Sequence, residues 1–229
     1  MRAMPPPPEA VPPSLRSIGE GFTYAWSRQE LLGSYGVDMV AMFFGMPMAL
    51  FPAIATQYGG AEVLGLLYAA PSVGALVASL TSGWAARVHR HGMAIIWAAA
   101  SWGLAITAFG LVTNLWVALV FLGFAGAADM ISGIFRGTLW NQTIPDRLRG
   151  RLAGIEQISY MSGPLLGNVE AGLVASVAGI RGSVVSGGIL CVAGTAALCW
   201  LLPDFVKYDA RTSVHRKLKQ SEVLVRGKG

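Results

Sequence analysis

Charge is what this 229-residue chain has least of: Asp, Glu, Lys and Arg together make up 13% of it, against about a quarter of an average soluble domain. A water-soluble surface is therefore excluded over most of its length. Cysteine is nearly absent. Cys191 and Cys199 lie eight apart on one apolar run, too far along a helix to bridge, so there is no disulfide framework. The three histidines, His89, His91 and His215, fall in a loop and the tail. No intramembrane histidine is available as a base, which disfavours a Ser–His hydrolase. There is no HExxH, no Cys/His metal cluster and no phosphate-binding P-loop. The chain thus reads as neither an enzyme nor an ATP-driven pump by itself, and no cofactor is expected. The first 30 residues carry four consecutive prolines and three acids, which does not fit a cleavable signal peptide. The net charge of +5 does not point to nucleic acid, because the basic residues sit in short loops and a tail.

What the sequence has is apolar length. Hydrophobic residues make up 54% of it, in runs near 20 residues, each able to cross about 30 Å of hydrocarbon at about 1.5 Å per residue. An all-α integral membrane protein with six transmembrane helices is predicted, over 31–55, 63–86, 93–112, 115–140, 152–178 and 183–202. Residues 1–30 form a Pro-rich arm and 203–229 a basic tail. The arm, the loops RVHRHG and NQTIPDRLRGR, and the tail hold 15 of the 17 Lys and Arg. By the positive-inside rule both termini are cytoplasmic, in a multi-pass protein of the cell (inner or plasma) membrane. The tail would lie solvated near anionic headgroups. The two-residue turn Thr113-Asn114 separates three spans from three more. This 3+3 plan is common among transporters with inverted repeats. Asp38-Met39 and Asp129-Met130, on the first span of each triplet, form a faint internal echo that chance can also explain.

Small residues recur every four positions in the second span (Ala70, Gly74, Ala78, Ser82, Ala86) and in the fifth (Ser159, Gly163, Gly167, Ala171, Ala175). In lipid such stripes let backbones approach closely, so these are packing seams. Five charges lie inside spans: Asp38, Asp129, Glu156, Glu170 and Arg136. Each costs at least about 2.5 kcal/mol at mid-bilayer on insertion scales, so each should face protein or water. Asp129 and Arg136 share a helix face, about 10 Å apart, too far for direct contact but joinable through a third group. Arg136 and Glu156 stand at matched depth on antiparallel neighbours. They are the expected cytoplasmic gate, with Asp146, although a static ion pair would use the same residues. Asp38 and Asp129 lie deeper and are the candidate proton carriers. Glu170, with Asn168, is a candidate lining residue of an aqueous path.

Three stretches carry a family likeness: SLRSIGEGFTYAWSRQELLGSYGVDMVAMFFGMPMALFPAIA, LGLLYAAPSVGALVASLTSGWAARVHRHG and, above all, GAADMISGIFRGTLWNQTIPDRLRGRLAGIEQISYMSGPLLG. From Ser14 to about Lys207 the chain resembles the C-terminal six-helix half of a major facilitator superfamily (MFS) exporter. The branch is that of enterobactin-type siderophore exporters and macrolide-efflux relatives. In the cytoplasmic loop between the second and third spans Gly83 fits the superfamily pattern, while Arg87 stands where an acid is usual. The resemblance implies efflux of a small amphiphilic molecule such as a siderophore or drug, driven by a proton gradient. It also implies a partner: a first six-helix half, on a separate chain or in missing sequence, or a second copy in a homodimer. The arm 1–30 then corresponds to the connection between halves. A truncated membrane interaction protein that no longer transports is the competing expectation.

Overall fold

The computed structural model describes Tyr24 and residues 26–144 and 146–211. Within them the chain is helical throughout: α1 (Gln29–Phe44), a 3-10 turn (Pro47–Leu50), α2 (Phe51–Tyr58), α3 (Ala61–Leu80), a second 3-10 turn (Ser82–Arg87), α4 (His91–Leu111), α5 (Leu115–Thr143), α6 (Asp146–Leu201) and α7 (Pro203–Val206). No strand occurs among the described residues. Five stretches are long and apolar enough to span a bilayer: Gln29–Tyr58, Ala61–Leu80, His91–Leu111, Leu115–Thr143 and Tyr160–Leu201.

The last of these is two passes. Gly179 sits at φ 75°, ψ 166° inside α6, a region that glycine alone enters readily. Ser183 Oγ donates to the Ala171 carbonyl at 2.8 Å, whereas twelve residues of continuous helix would separate them by about 18 Å. The chain therefore folds back at Gly179. The first limb, 146–178, sets Gly163 and Gly167 against Met42 of α1, and the second limb, 180–201, sets Gly187 against Phe44 and Gly194 against Val40. Contacts climb α1 with the first limb and descend it with the second. The six expected spans are all present, the last two joined by a one-residue joint.

The first span is interrupted where Pro47 and Pro52 remove donors. Two side chains satisfy backbone groups freed by the break. Trp102 Nε1 of α4 donates to the Gly45 carbonyl at 3.1 Å. Asn168 Oδ1 of α6 accepts from Ala49 N at 3.1 Å. At the short turn before α5, Asn114 Oδ1 caps the helix by accepting from Trp116 N at 2.9 Å and Val117 N at 3.3 Å.

The helix pairs repeat across the two triplets. α3 packs on α5 as the first limb of α6 packs on α1; α4 packs on α5 as the second limb packs on α1; α4 and the second limb pack on each other. The expected seams are found at Gly74 of α3 and at Gly163 and Gly167 of α6, but Ser82 and Ala86 fall beyond α3, in the 3-10 turn Ser82–Arg87, where Ala86 is exposed. A Cβ on Gly74 would collide with the Gly123 carbonyl, one on Gly126 with the Pro71 carbonyl, and one on Gly167 with the Met42 carbonyl. Backbone meets backbone there, as small residues permit in lipid. The side chain of Ser159, in the expected stripe, lies outside the described residues.

The bundle has two ends. The proximal end gathers the start of α1, the turn 82–90, the α5–α6 junction and α7. The distal end gathers the turns at 59–60, 112–114 and 179. Exposed indoles stand at both: Trp26, Trp84 and Trp200 proximally, Trp116 distally, as in the aromatic belts of membrane proteins. The tail does not begin at 203 as a solvated segment. Phe205 is fully buried, lying against Gly33 of α1 and Gly92 of α4. Ala210 N donates to the His89 carbonyl at 2.9 Å. Tyr208 Oη lies 3.3 Å from Thr143 Oγ1 and donates to Gln142 Oε1 at 3.3 Å. Residues 203–211 are thus a strap beneath the bundle, because one apolar side chain inside a polar stretch finds a glycine-lined niche. His91, expected in a loop, is the first residue of α4, buried beside Phe135 and Tyr208.

Candidate functional site

The intramembrane charges converge where α1 crosses α5. Asp38 lies nine residues into α1 and Arg136 seven residues from the end of α5, hence about 14 Å and 10 Å from the proximal end. Their side chains form an ion pair between Arg136 Nη1 and Asp38 Oδ1, only 16% and 11% exposed. Arg136 Nη2 also stands 3.9 Å from Asp129 Oδ1. Direct reach to Asp129 exceeds the sequence expectation because side chains on a helix lean toward its N-terminus, and the long guanidinium arm covers the two turns between them. No third group is needed to join them; Asp38 is instead a second carboxylate on the same guanidinium. Both members of the Asp-Met echo, one from each triplet, thus share one guanidinium. Asp129 remains 44% exposed, on the open side of the cluster, while Arg136 Nε is buried without a hydrogen-bond partner.

The expected Arg136–Glu156 pair is not made. Among the described residues Arg136 has Asp38 and Asp129 as its ion-pair partners within 4.0 Å. The reason is which helices cross: α1 lies against the Arg136 face of α5 and takes the guanidinium, while Glu156 stays exposed on the first limb of α6. It remains within electrostatic reach of Arg136 and Asp38. The Asp146 side chain lies outside the described residues. Glu170 is half-buried and, fourteen residues beyond Glu156, about 21 Å further along the limb, so it does not join the cluster. Its companion Asn168 accepts a hydrogen bond from the Ala49 amide in the broken first span.

Two residues that sequence reading passed over complete the layer below. Tyr35 is one turn proximal of Asp38 on α1, and Trp140 one turn proximal of Arg136 on α5. Their rings stack at 4.7 Å between centroids, tilted by 58°. The signal was available: an aromatic at i−3 from the acid and another at i+4 from the base, on antiparallel helices. No cluster of His, Cys, Asp and Glu able to hold a metal occurs among the described residues. Both cysteines are free. Chemically, the site offers two carboxylates to one guanidinium, with a third carboxylate close by. It can exchange ion-pair partners and take up a cation or proton; it has no nucleophile–base arrangement.

Comparison with known proteins agrees with this architecture. The family model described as Major Facilitator Superfamily matches residues 36–226. Enterobactin exporter EntS of Citrobacter koseri is 31% identical over 197 residues, covering 84% of this chain and 47% of that protein. EntS of Escherichia coli O1:K1 is 30% identical over 205 residues, covering 87% and 49%. EntS of Shigella boydii serotype 18 is 31% identical over 206 residues, again covering 87% and 49%. The chain spans about half the length of the curated relatives it matches. No solved structure matches it. With the family model spanning most of the chain and six helices paired alike in two triplets, this multi-pass membrane protein belongs to the Major Facilitator Superfamily.

Proposed function

We propose that this chain is one six-helix half of an exporter that moves a small amphiphilic molecule out of the cell across the inner or plasma membrane, driven by protons. The observation that carries the reading is the Asp38–Arg136–Asp129 cluster. Three ionisable groups from the first helices of both triplets are gathered well inside the membrane, where such groups belong to ion and substrate paths. Two carboxylates compete for one guanidinium, so binding a proton or a substrate to Asp129 leaves the Asp38 pair intact, whereas loss of the pair frees Arg136. Exchange of partners of this kind couples occupancy of the open side to the packing of α1 on α5. The relatives named as enterobactin exporters support a siderophore or another drug-sized amphiphile as cargo.

A second six-helix half, from another chain or a second copy, supplies the opposite wall. Support comes from the exposure of Asp129 and from the apolar, uncovered flanks of α3 (Leu66, Val73, Leu76) and of the first limb of α6 (Leu165, Val169, Leu173). The proximal end faces the cytoplasm, because nearly all Lys and Arg of the short loops gather there. The decisive experiment is reconstitution in liposomes with an imposed proton gradient. The chain with a first half should export substrate, and Asp129→Asn should slow export about tenfold or more. Transport unaffected by Asp129→Asn would remove the cluster from the mechanism. Transport by the chain alone, held as a monomer, would remove the need for a second half.

A further inference from the structure

Below the Arg136 cluster the molecule holds two donors without an acceptor and one acceptor without a donor. Tyr35 Oη and Trp140 Nε1 are buried and have no hydrogen-bond partner. Buried polar atoms are nearly always paired, and an exception calls for a physical explanation. Both atoms are closed in by protein, and hydrocarbon would offer neither of them an acceptor. Glu156 is the converse: an acid on a membrane helix, exposed, with no ion pair among the described residues.

Helix geometry puts the three at one level. α1 and the first limb of α6 run parallel, and Gly163 meets Met42, the Cβ positions 3.0 Å apart. Seven residues back on each helix, two turns and nearly the same face, stand Glu156 and Tyr35. On the other side of α1, Tyr35 stacks on Trp140 at 4.7 Å, one turn below the Asp38–Arg136 pair. Glu156 and Tyr35 are also close enough to interact electrostatically. The start of the limb is held by Leu152, fully buried in the core cluster that also contains Leu31 and Val37 of α1, while one turn further on the Glu156 side chain is exposed and unconfined.

We propose that Glu156 is the acceptor for these two donors. When the proximal end closes, the Glu156 side chain turns onto α1 and its carboxylate accepts hydrogen bonds from Tyr35 Oη and Trp140 Nε1, closing this half's side of the passage beneath Arg136. In the present conformation the seal is open. Tyr35 and Trp140 are positioning residues in this scheme: they hold the gate carboxylate and do not touch the cargo. The proposal rests on reading the Arg136 cluster as a gated transport site.

The test uses the full chain in membranes, with Cys191→Ala and Cys199→Ala as background. Tyr35→Cys with Glu156→Cys should be joined by a bifunctional thiosulfonate whose spacer replaces the two lost side chains. Tyr35→Cys with Glu170→Cys, about 21 Å further along the limb, should not be joined. If the Tyr35–Glu156 pair fails to link while each cysteine labels singly, the gate is wrong. In the reconstituted transporter, Tyr35→Phe and Glu156→Gln should each slow export roughly fivefold, the worth of about one hydrogen bond, and together no further. Multiplying losses would also overturn the gate. Cross-linking needs no transport, so absence of export with the link intact would sink the transport reading alone. Export without the link would sink the gate alone.

Discussion

The crossing of α1 on α5 and the crossing of α3 on α5 use opposite means to hold the same helix. The first is polar: a guanidinium between two carboxylates, with orphaned donors beneath it. The second is dry: Gly74, Gly123 and Gly126 bring backbone onto backbone. Dry contact gains dispersion from many atoms at once and has one good geometry. Polar contact is dearer to bury but has several nearly equivalent arrangements, because a guanidinium can change partners. The difference teaches where the bundle is a fixed frame and where it can change state. α5 is anchored along its distal part by glycines and carries its charged groups toward the proximal end.

Substitutions can break or sharpen that contrast. The largest effect is expected for Arg136→Gln, which leaves Asp38 and Asp129 facing each other without a cation. A loss of roughly 3–5 kcal/mol, as for other broken buried pairs, should appear as a collapse of folded, monodisperse protein in detergent. Next is Gly126→Leu in the dry seam. Its side chain has no space against the Pro71 carbonyl, and overpacking of this kind costs about 1–3 kcal/mol; a lowered midpoint of thermal unfolding checks it. Asn168→Ala removes one hydrogen bond to the broken first span, worth about 1 kcal/mol, visible as faster hydrogen exchange at the Ala49 amide. The smallest stability change belongs to Asp129→Asn, below about 1 kcal/mol because its carboxylate is partly exposed, stands 3.9 Å from the guanidinium and leaves the Asp38–Arg136 pair intact, even though this substitution should change transport most clearly. If Asp129→Asn destabilised the fold more than Gly126→Leu, the division into frame and switch would fail.

The helices, the turn at Gly179 and the two small-residue seams were legible because they are local: run length, periodicity and a glycine where the chain reverses. The charged residues were legible as a set, since charge in an apolar run is conspicuous wherever it occurs. Their pairing was not. Whether Arg136 meets Glu156 or Asp38 depends on which helix crosses α5 on that face, and matched depth on sequential neighbours is a weaker guide than the crossing of the first helices of two triplets. Reach was also underestimated, since counting turns between Asp129 and Arg136 ignores the lean of the arginine arm. The hydrogen bond from the Ala49 amide to Asn168 was not legible, because the broken backbone lies 119 positions away. Phe205 was hidden because Pro203, Asp204 and Lys207 around it make the segment look like solvent-bound tail.

The strap also sets an order of events during synthesis. Helices emerge from the ribosome and enter the membrane from the N-terminal side, so α1 and α4 are in place long before Phe205 exists. Until then the hollow between Gly33 and Gly92 has nothing to fill it, and the proximal end of the bundle stays unsealed. Completion of this end of the bundle therefore waits on an apolar residue made after the sixth of these spans. A nascent chain released before that point would carry all six of these spans and still leave the niche at Gly33 and Gly92 unfilled.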